Sequence, residues 1–127
     1  MSSKESIIEQ KAFKFAIRII NLYKFLQETK KEFVMSKQIL RSGTAIGANV
    51  NEALSSESTS DFIHKLSISA KEVRETSYWL RLLQETQFID FNAFDSIHNE
   101  CVELLKILNS IILTSKQKQG EKNKKIE

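Results

Sequence analysis

The sequence predicts an all-α protein that folds as an antiparallel up-down-up-down four-helix bundle. It contains no proline and three glycines in 127 residues, a composition that suits long uninterrupted helices. Apolar residues recur at the three- and four-residue spacing of a helix in four successive segments. The polar breaks between these segments are short, so sequential helices must pack as antiparallel neighbours. A chain of this length fits one domain with a core of its own.

Four helices are expected from these segments, over 5–28, 36–54, 60–86 and 91–116. Each predicted start has polar residues that can accept hydrogen bonds from the first free backbone N–H groups. They are Ser2 with Glu5, Ser36, Ser58 with Asp61, and Asp90 or Asn92. Residues 1–116 therefore form the predicted bundle, and 117–127 is predicted to be a basic, disordered tail.

The net charge of +3 is unevenly distributed along the chain. Residues 116–127 contain five lysines and two glutamates, so this stretch accounts for the surplus and the remaining body is neutral. Within the body, residues 1–50 contain nine basic and four acidic residues, whereas 51–115 contain five and ten. Helix faces that neutralise one another within or between subunits are the favoured explanation, and a basic surface that faces anions is the alternative.

The first and third helices have more apolar surface than one bundle core requires. In the first helix Phe13, Ile17 and Ile20 widen the apolar sector well beyond its inner seam. The third helix has an outer face at helical spacing, formed by Ile68, Glu72, Glu75, Trp79 and Leu82. Because solvent-exposed apolar patches usually mark a protein–protein interface, we expect a homo-oligomer. The alternative is that Trp79 lies across a neighbouring helix of its own subunit.

The second helix contains two glycines four residues apart, Gly43 and Gly47, within a stretch of small residues. Each glycine costs a helix about 1 kcal/mol relative to alanine. Two of them in one helix therefore indicate that a neighbouring backbone approaches closely there.

Enzymatic chemistry has little support, so we expect no catalytic residue, cofactor or metal. Asp61-x-x-His64 occurs once, whereas a carboxylate-bridged metal site in a bundle needs an acid-x-x-His pair on each of two helices. Cys101 lies in the apolar stripe of the fourth helix and is expected in the core. Neither His64 nor His98 has a recognisable serine or cysteine partner.

A basic stripe on the first helix is the best candidate for a nucleic-acid contact. Lys11, Lys14 and Arg18 share its polar sector, and Lys37 and Arg41 of the second helix are expected nearby. Repeated around an oligomer axis, such a stripe would strongly attract phosphates. The alternative is an ordinary solvated face, which every surface helix has.

Three segments at fixed relative spacing resemble the proteins encoded in intervening sequences of bacterial 23S ribosomal RNA genes. They are Arg41–Ala53 (RSGTAIGANVNEA), Asp61–Ile63 (DFI) and Lys71–Leu83 (KEVRETSYWLRLL). The resemblance implies a four-helix bundle that assembles into a ring-like homopentamer. It also implies kinship with the accessory protein of diversity-generating retroelements, which binds nucleic acid and a reverse transcriptase. Within these segments Arg41, Asn49, Glu52, Glu72 and Glu75 are expected to form polar contacts between helices or subunits.

The sequence thus favours a non-enzymatic oligomeric bundle that binds structured RNA or another nucleic acid through repeated basic surfaces. The alternative is a scaffold that recruits a protein partner and does not bind nucleic acid. A single cysteine and a first segment without a secretion signal favour the cytoplasm. No apolar run is long enough to cross a membrane.

Overall fold

The computed structural model describes residues 2–126, and four helices make up nearly all of this range. They are α1 (Ser3–Glu28), α2 (Met35–Leu54), α3 (Thr59–Glu85) and α4 (Phe91–Ile126). Each helix packs against two others, so the four form a square in the order α1, α2, α3, α4. Along α1 and α4, Lys4 donates to Ser110 at 2.6 Å and Lys11 pairs with Glu103 at 2.6 Å, which is an antiparallel arrangement. The predicted all-α bundle is confirmed.

A single apolar core runs along the inside of the square. Its fully enclosed side chains come from all four helices, and the largest are Phe15, Ile8, Ile19, Leu26, Ile39, Ile46, Leu66, Leu80, Leu83, Leu104 and Leu108. These positions recur at helical spacing, as the apolar pattern of the sequence predicted. Within residues 2–126, no helix combines the length and the apolarity that crossing a membrane requires.

Small residues let α2 lie close to both of its neighbours. A Cβ atom built on Gly47 would lie 3.5 Å from the backbone of Ala12 in α1. On the side of α3, the Thr76 hydroxyl donates to Ser42 at 2.9 Å and the Ser69 hydroxyl donates to the Ile46 carbonyl at 2.9 Å. The buried hydroxyls are therefore hydrogen-bonded between helices, and the predicted close approach at this helix is confirmed.

Three of the four helices begin with the caps predicted from sequence. They are the capping box of Ser2 and Glu5, the Ser58 hydroxyl that accepts from the Asp61 N–H at 3.0 Å, and the Asp90 carboxylate that accepts from the Ala93 N–H at 2.8 Å. Of the two candidates for the fourth start, Asp90 rather than Asn92 provides this hydrogen bond.

The start of α2 differs from the prediction, because Glu32 rather than Ser36 caps it. The Glu32 carboxylate accepts from the backbone N–H groups of Val34, Met35 and Ser36 at 2.9, 2.8 and 2.7 Å. Ser36 lies inside the helix, where its hydroxyl donates to the Glu32 carbonyl at 2.8 Å. Burial by itself raises the pKa of Glu32, but the backbone donors outweigh it and hold the pKa below its ordinary value.

The end of α4 also differs, because the helix continues to Ile126 where the sequence predicted a disordered tail from residue 117. The segment is rich in lysine, glutamine and glutamate, which are good helix formers, and it contains one glycine, Gly120. A hydrogen bond ties it to the bundle, since the Gln119 amide donates to the Ser60 hydroxyl at 3.0 Å. The predicted helix end at 116 was too early, and Glu127 lies outside the described residues.

Candidate functional site

The basic stripe of α1 faces α4, and acidic residues of α4 pair with most of it. Lys11 Nζ lies 2.6 Å from Glu103 Oε1, and Arg18 forms an ion pair with Glu100. Lys14 is exposed and forms no ion pair with another described residue. Two of the three predicted phosphate-binding charges on this helix are therefore compensated within the subunit, which weakens the field they project into solvent.

The two basic candidates on α2 do not join that stripe. Arg41 points to α3, where it pairs with Glu75 and where its Nη1 lies 3.3 Å from Glu72 Oε2. The α2–α3 side of the square is opposite the α1–α4 side, so Arg41 lies far around the bundle from the stripe on α1. Lys37 is exposed and forms no ion pair with a described residue. The structure thus separates the five predicted basic residues into different surfaces.

The Arg41, Glu72 and Glu75 cluster joins α2 to α3 within one subunit. Burial raises the pKa of Glu72 above its ordinary value; the Arg41 charge opposes this shift and the Glu75 carboxylate adds to it. Glu72 Oε2 is buried and has no hydrogen-bond partner among the described residues, although Arg41 is near. These side chains therefore make the interhelix polar contact that the sequence predicted for them, in the intrasubunit form.

The half-buried outer face of α3 lies towards α2. Ile68 and Leu82 are half-buried, and Trp79 packs against the core of its own subunit. This placement of Trp79 is the alternative that the sequence left open. Its indole N–H is buried and has no acceptor among the described residues, while Tyr78 contacts its ring edge-on with centroids 5.3 Å apart. The position of Trp79 does not by itself require a second subunit.

Asn49 and Glu52 make local contacts in α2. The Asn49 side-chain amide donates to the Ala45 carbonyl at 2.8 Å, one turn earlier in the helix. Glu52 is exposed, and its backbone carbonyl accepts from the Ser56 hydroxyl at 3.2 Å. Neither contact joins two helices, so the interhelix role expected for these two residues does not follow from the single chain.

Ser77 and His98 form a hydrogen-bonded pair that the sequence analysis did not anticipate. Ser77 Oγ lies 2.8 Å from His98 Nε2, and the Phe94 ring stacks on the imidazole with centroids 4.8 Å apart. The expectation that His98 has no serine partner was wrong, because residues on different helices meet only in the fold. Ser77 lies within α3, where helix hydrogen bonds occupy the backbone N–H groups that an oxyanion would need. The pair therefore connects α3 to α4.

The side chains that remain as candidates for metal binding or nucleophilic catalysis are not grouped into a site within the described residues. The part of the chain that the structure describes contains no group of three or more His, Cys, Asp or Glu side chains arranged to hold a metal ion. Cys101 is buried in the core, and this burial, with a smaller contribution from Glu100, raises the pKa of its thiol to about 12. A thiol with such a pKa is protonated at neutral pH and is a poor nucleophile.

An apolar stripe on α1 stays exposed in the single chain. The exposed fractions are 67% for Phe13, 46% for Ile17 and 38% for Ile20. Phe13 lines a groove between α1 and α2 together with Gly47 and Ala48. The wide apolar sector predicted for the first helix is therefore present on its outer surface.

A second basic face, which the sequence analysis missed, lies on α3. The exposed residues in the middle of this helix are Lys71, Arg74, Tyr78 and Arg81. Their spacing of three, four and three residues places them on one side of the helix, and this spacing was the available signal. The outer face predicted for this helix includes Trp79, whereas this stripe lies next to it, towards α4.

Comparison with known proteins identifies the family. The profile of the 23S rRNA-intervening sequence proteins matches residues 4–110. The chain belongs to the 23S rRNA-intervening sequence protein family. A crystal structure of a protein of unknown function from the S23 ribosomal protein family of Bacteroides thetaiotaomicron is similar at 54% sequence identity. The match covers 86% of this chain and 97% of that one, with a TM-score of 0.85. No curated protein matches the chain.

The resemblance stated from the sequence is therefore confirmed. In this 23S rRNA-intervening sequence protein, all three segments that carried the resemblance lie on α2 and α3, and the two longer ones contact each other across these helices. They supply Arg41, Glu72 and Glu75, as well as the hydroxyl contact between Ser42 and Thr76. Much of the recognisable pattern is thus used to join these two helices.

Proposed function

We propose that the protein is a non-enzymatic bundle that associates with further copies of itself and binds structured RNA through exposed basic side chains. The end of α4 carries this proposal. Lys116, Lys118, Lys122 and Lys124 are all exposed there, against one acidic residue, Glu121. None of the four lysines forms an ion pair with a described residue. A helix with unpaired cations attracts phosphate backbones whatever their sequence.

Self-association is supported by the apolar stripe of α1. Phe13, Ile17 and Ile20 expose a continuous apolar surface next to the small residues of α2, and water contact with such a surface is unfavourable. Covering it with a second copy would remove that cost. The resemblance implies a homopentamer, and a closed ring would repeat every basic surface around its axis.

A non-enzymatic role is supported by what the reactive groups do in the fold. Cys101 is a buried, protonated thiol, and Ser77 uses its hydroxyl to join His98 of the neighbouring helix. The free cysteine also fits a reducing compartment, so we place the protein in the cytoplasm as part of the proposal.

A second candidate function is a scaffold that recruits a protein partner without binding nucleic acid. The ion pairs of Lys11, Arg18 and Arg41 favour it, because they neutralise three of the five basic side chains first considered for phosphate binding. The apolar stripe of α1 would then receive another protein instead of, or in addition to, a second copy.

The two candidates are separated by measuring RNA binding and mass on the full-length protein. A structured RNA hairpin is titrated with wild type, while light scattering gives the oligomeric mass. Our proposal predicts an oligomer that binds the hairpin at low salt and releases it as salt rises. Binding releases counterions from the phosphates, and added salt opposes that release. An oligomer that does not bind the hairpin at low salt contradicts the RNA proposal and favours the protein scaffold.

The self-association surface is tested by a matched pair of variants. Phe13→Gln changes the apolar stripe, whereas Phe91→Gln changes a ring of similar exposure, 62%, at the start of α4. We expect Phe13→Gln to lower the mass measured by light scattering and Phe91→Gln to leave it unchanged. Equal masses for wild type and both variants would show that the stripe is not the contact between copies.

A further inference from the structure

The middle of α3 presents a stripe of basic and aromatic side chains to solvent. Lys71, Arg74, Tyr78 and Arg81 are all exposed, and they fall on one side of the helix. With a rise of 1.5 Å per residue, the ten steps from Lys71 to Arg81 extend about 15 Å along the surface. This length matches about four stacked nucleotides at roughly 3.4 Å each.

The three cations of this stripe are free to act on a partner. None of Lys71, Arg74 and Arg81 forms an ion pair with another described residue. The nearby acids Glu72 and Glu75 are already paired with Arg41 on the side towards α2. In the basic stripe of α1, by contrast, two of the three cations are paired with acidic residues of α4. Of these two stripes, the one on α3 therefore has the larger uncompensated positive charge.

Tyr78 adds an exposed aromatic ring to the cations of this face, and the basic stripe of α1 has no such ring. Its side chain is 52% exposed between two arginines, and its ring meets the Trp79 ring edge-on at an interplanar angle of 72°. Trp79 packs against the core, so one edge of the tyrosine is held by a fixed neighbour. An aromatic ring held in this way beside cations suits an unpaired base, which can stack on it while the cations bind phosphates.

We infer that the α3 face formed by Lys71, Arg74, Tyr78 and Arg81 binds a single-stranded segment of RNA, such as the loop of a hairpin. Arg74 and Arg81 contact phosphates on either side of a base that stacks on Tyr78, and Lys71 contacts a phosphate further along the strand. This assignment rests on the proposed RNA binding, and it adds to the lysines at the end of α4 a second surface that takes the unpaired loop. A base-paired stem offers no unstacked base, so the loop is the preferred ligand.

The test compares full-length variants of equal charge for binding to a labelled RNA hairpin with an unpaired loop. The test variant is Lys71→Gln/Arg74→Gln/Arg81→Gln, and the control is Lys24→Gln/Lys30→Gln/Lys106→Gln, whose three lysines are exposed on α1, just after α1 and on α4. We expect the α3 variant to lose at least about tenfold in affinity. Its dependence of log affinity on log salt should flatten by about 2, since each single-stranded phosphate contact contributes roughly 0.7. The control variant should keep most of the wild-type affinity.

Tyr78 is tested separately, because stacking does not depend on charge. Tyr78→Ala should weaken loop binding about tenfold with an unchanged salt slope, whereas Tyr78→Phe should retain the affinity. Circular dichroism and light scattering show whether each variant keeps its helix content and mass. If the triple variant has a changed helix content or mass, the single variants Arg74→Gln and Arg81→Gln replace it. Each should have about one third of its effect on the slope of log affinity against log salt.

The outcomes separate this inference from the function on which it rests. If wild type binds the hairpin and the α3 variant binds equally well, the proposed function stands and the α3 assignment is overturned. If binding is lost instead in Lys116→Gln/Lys118→Gln/Lys122→Gln while the α3 variant binds normally, the end of α4 is the RNA surface. If wild type does not bind at low salt, both proposals fail, and the α3 face becomes a candidate site for a protein partner.

Discussion

Replacing Gly43 with alanine is expected to destabilise the protein, even though alanine is the better helix former. A Cβ atom at this position would lie 2.7 and 2.8 Å from Cγ1 and Cγ2 of Ile19 and 3.1 Å from its Cβ. Ile19 is fully buried, and its β-branched side chain has few alternative rotamers, so these atoms cannot swing aside. The gain in helix propensity is about 1 kcal/mol, and overpacking costs about 1–3 kcal/mol. The expected net loss is about 1 kcal/mol.

Gly47 provides the matched control on the same helix face. A Cβ atom there would lie 3.5 Å from the nearest atoms of Ala12, which is ordinary van der Waals contact. Gly47→Ala should therefore keep the propensity gain and raise the free energy of unfolding by up to about 1 kcal/mol. The two substitutions are chemically identical, so a difference in sign reports the local distance between α1 and α2.

Urea unfolding followed by circular dichroism measures both variants. The comparison is made at one protein concentration, because association shifts the apparent stability. Gly43→Ala is also made in an Ile19→Ala background, because Ile19→Ala removes both γ-carbons of that side chain. The loss of unfolding free energy caused by Gly43→Ala should then shrink, and the double-mutant cycle should show coupling between the two positions. A clash between residue 43 and Ile19 is ruled out if Gly43→Ala is as stable as Gly47→Ala, or if Gly43→Ala costs the same free energy of unfolding in both backgrounds.

Three further predictions concern the titratable side chains of the bundle. Glu32→Gln should cost about 1 kcal/mol of unfolding free energy at neutral pH. Because the folded-state pKa of Glu32 lies below the ordinary value of 4.5, this stabilisation is present above that value and is lost as pH falls through the folded pKa. Urea midpoints at neutral pH and near pH 3 check it, and an equal deficit at both would contradict it. The pKa of Glu72 is raised instead, so ionising it costs the folded protein stability as pH rises. Glu72→Gln should therefore flatten the stability profile as pH rises above 4.5, and an unaltered profile would contradict this expectation. Cys101, whose pKa is raised to about 12, should react with iodoacetamide only as the protein unfolds; rapid labelling without urea would show that the thiol is accessible.

Helical periodicity was sufficient to predict the bundle, because four helices that each have an apolar face can bury these faces together in one core. Ile8, Ile19 and Leu104 lie in the core as their spacing indicates. The exposure of Phe13 follows from the same pattern, since the apolar sector of α1 is wider than the bundle can cover. Features that depend on the local repeat of one helix were thus accessible from sequence.

Features that depend on which side chains meet across helices were less accessible. The ion pair between Lys11 and Glu103 depends on the register of α1 against α4, which the apolar pattern does not determine. The contact between Ser77 and His98 likewise joins two helices. Glu32 was overlooked because it lies three residues before the first residue of α2, ahead of the usual N-cap position, and because glutamate is not among the usual N-cap residues.

RNA binding by the intact protein tests the central proposal most directly. Fluorescence anisotropy of a labelled hairpin is measured with wild-type, full-length protein at salt concentrations between about 50 and 200 mM. We expect binding at the lowest salt, with affinity that falls about tenfold or more across this range as phosphate contacts are lost. Absence of binding at the lowest salt, or binding that does not respond to salt, would contradict the proposal.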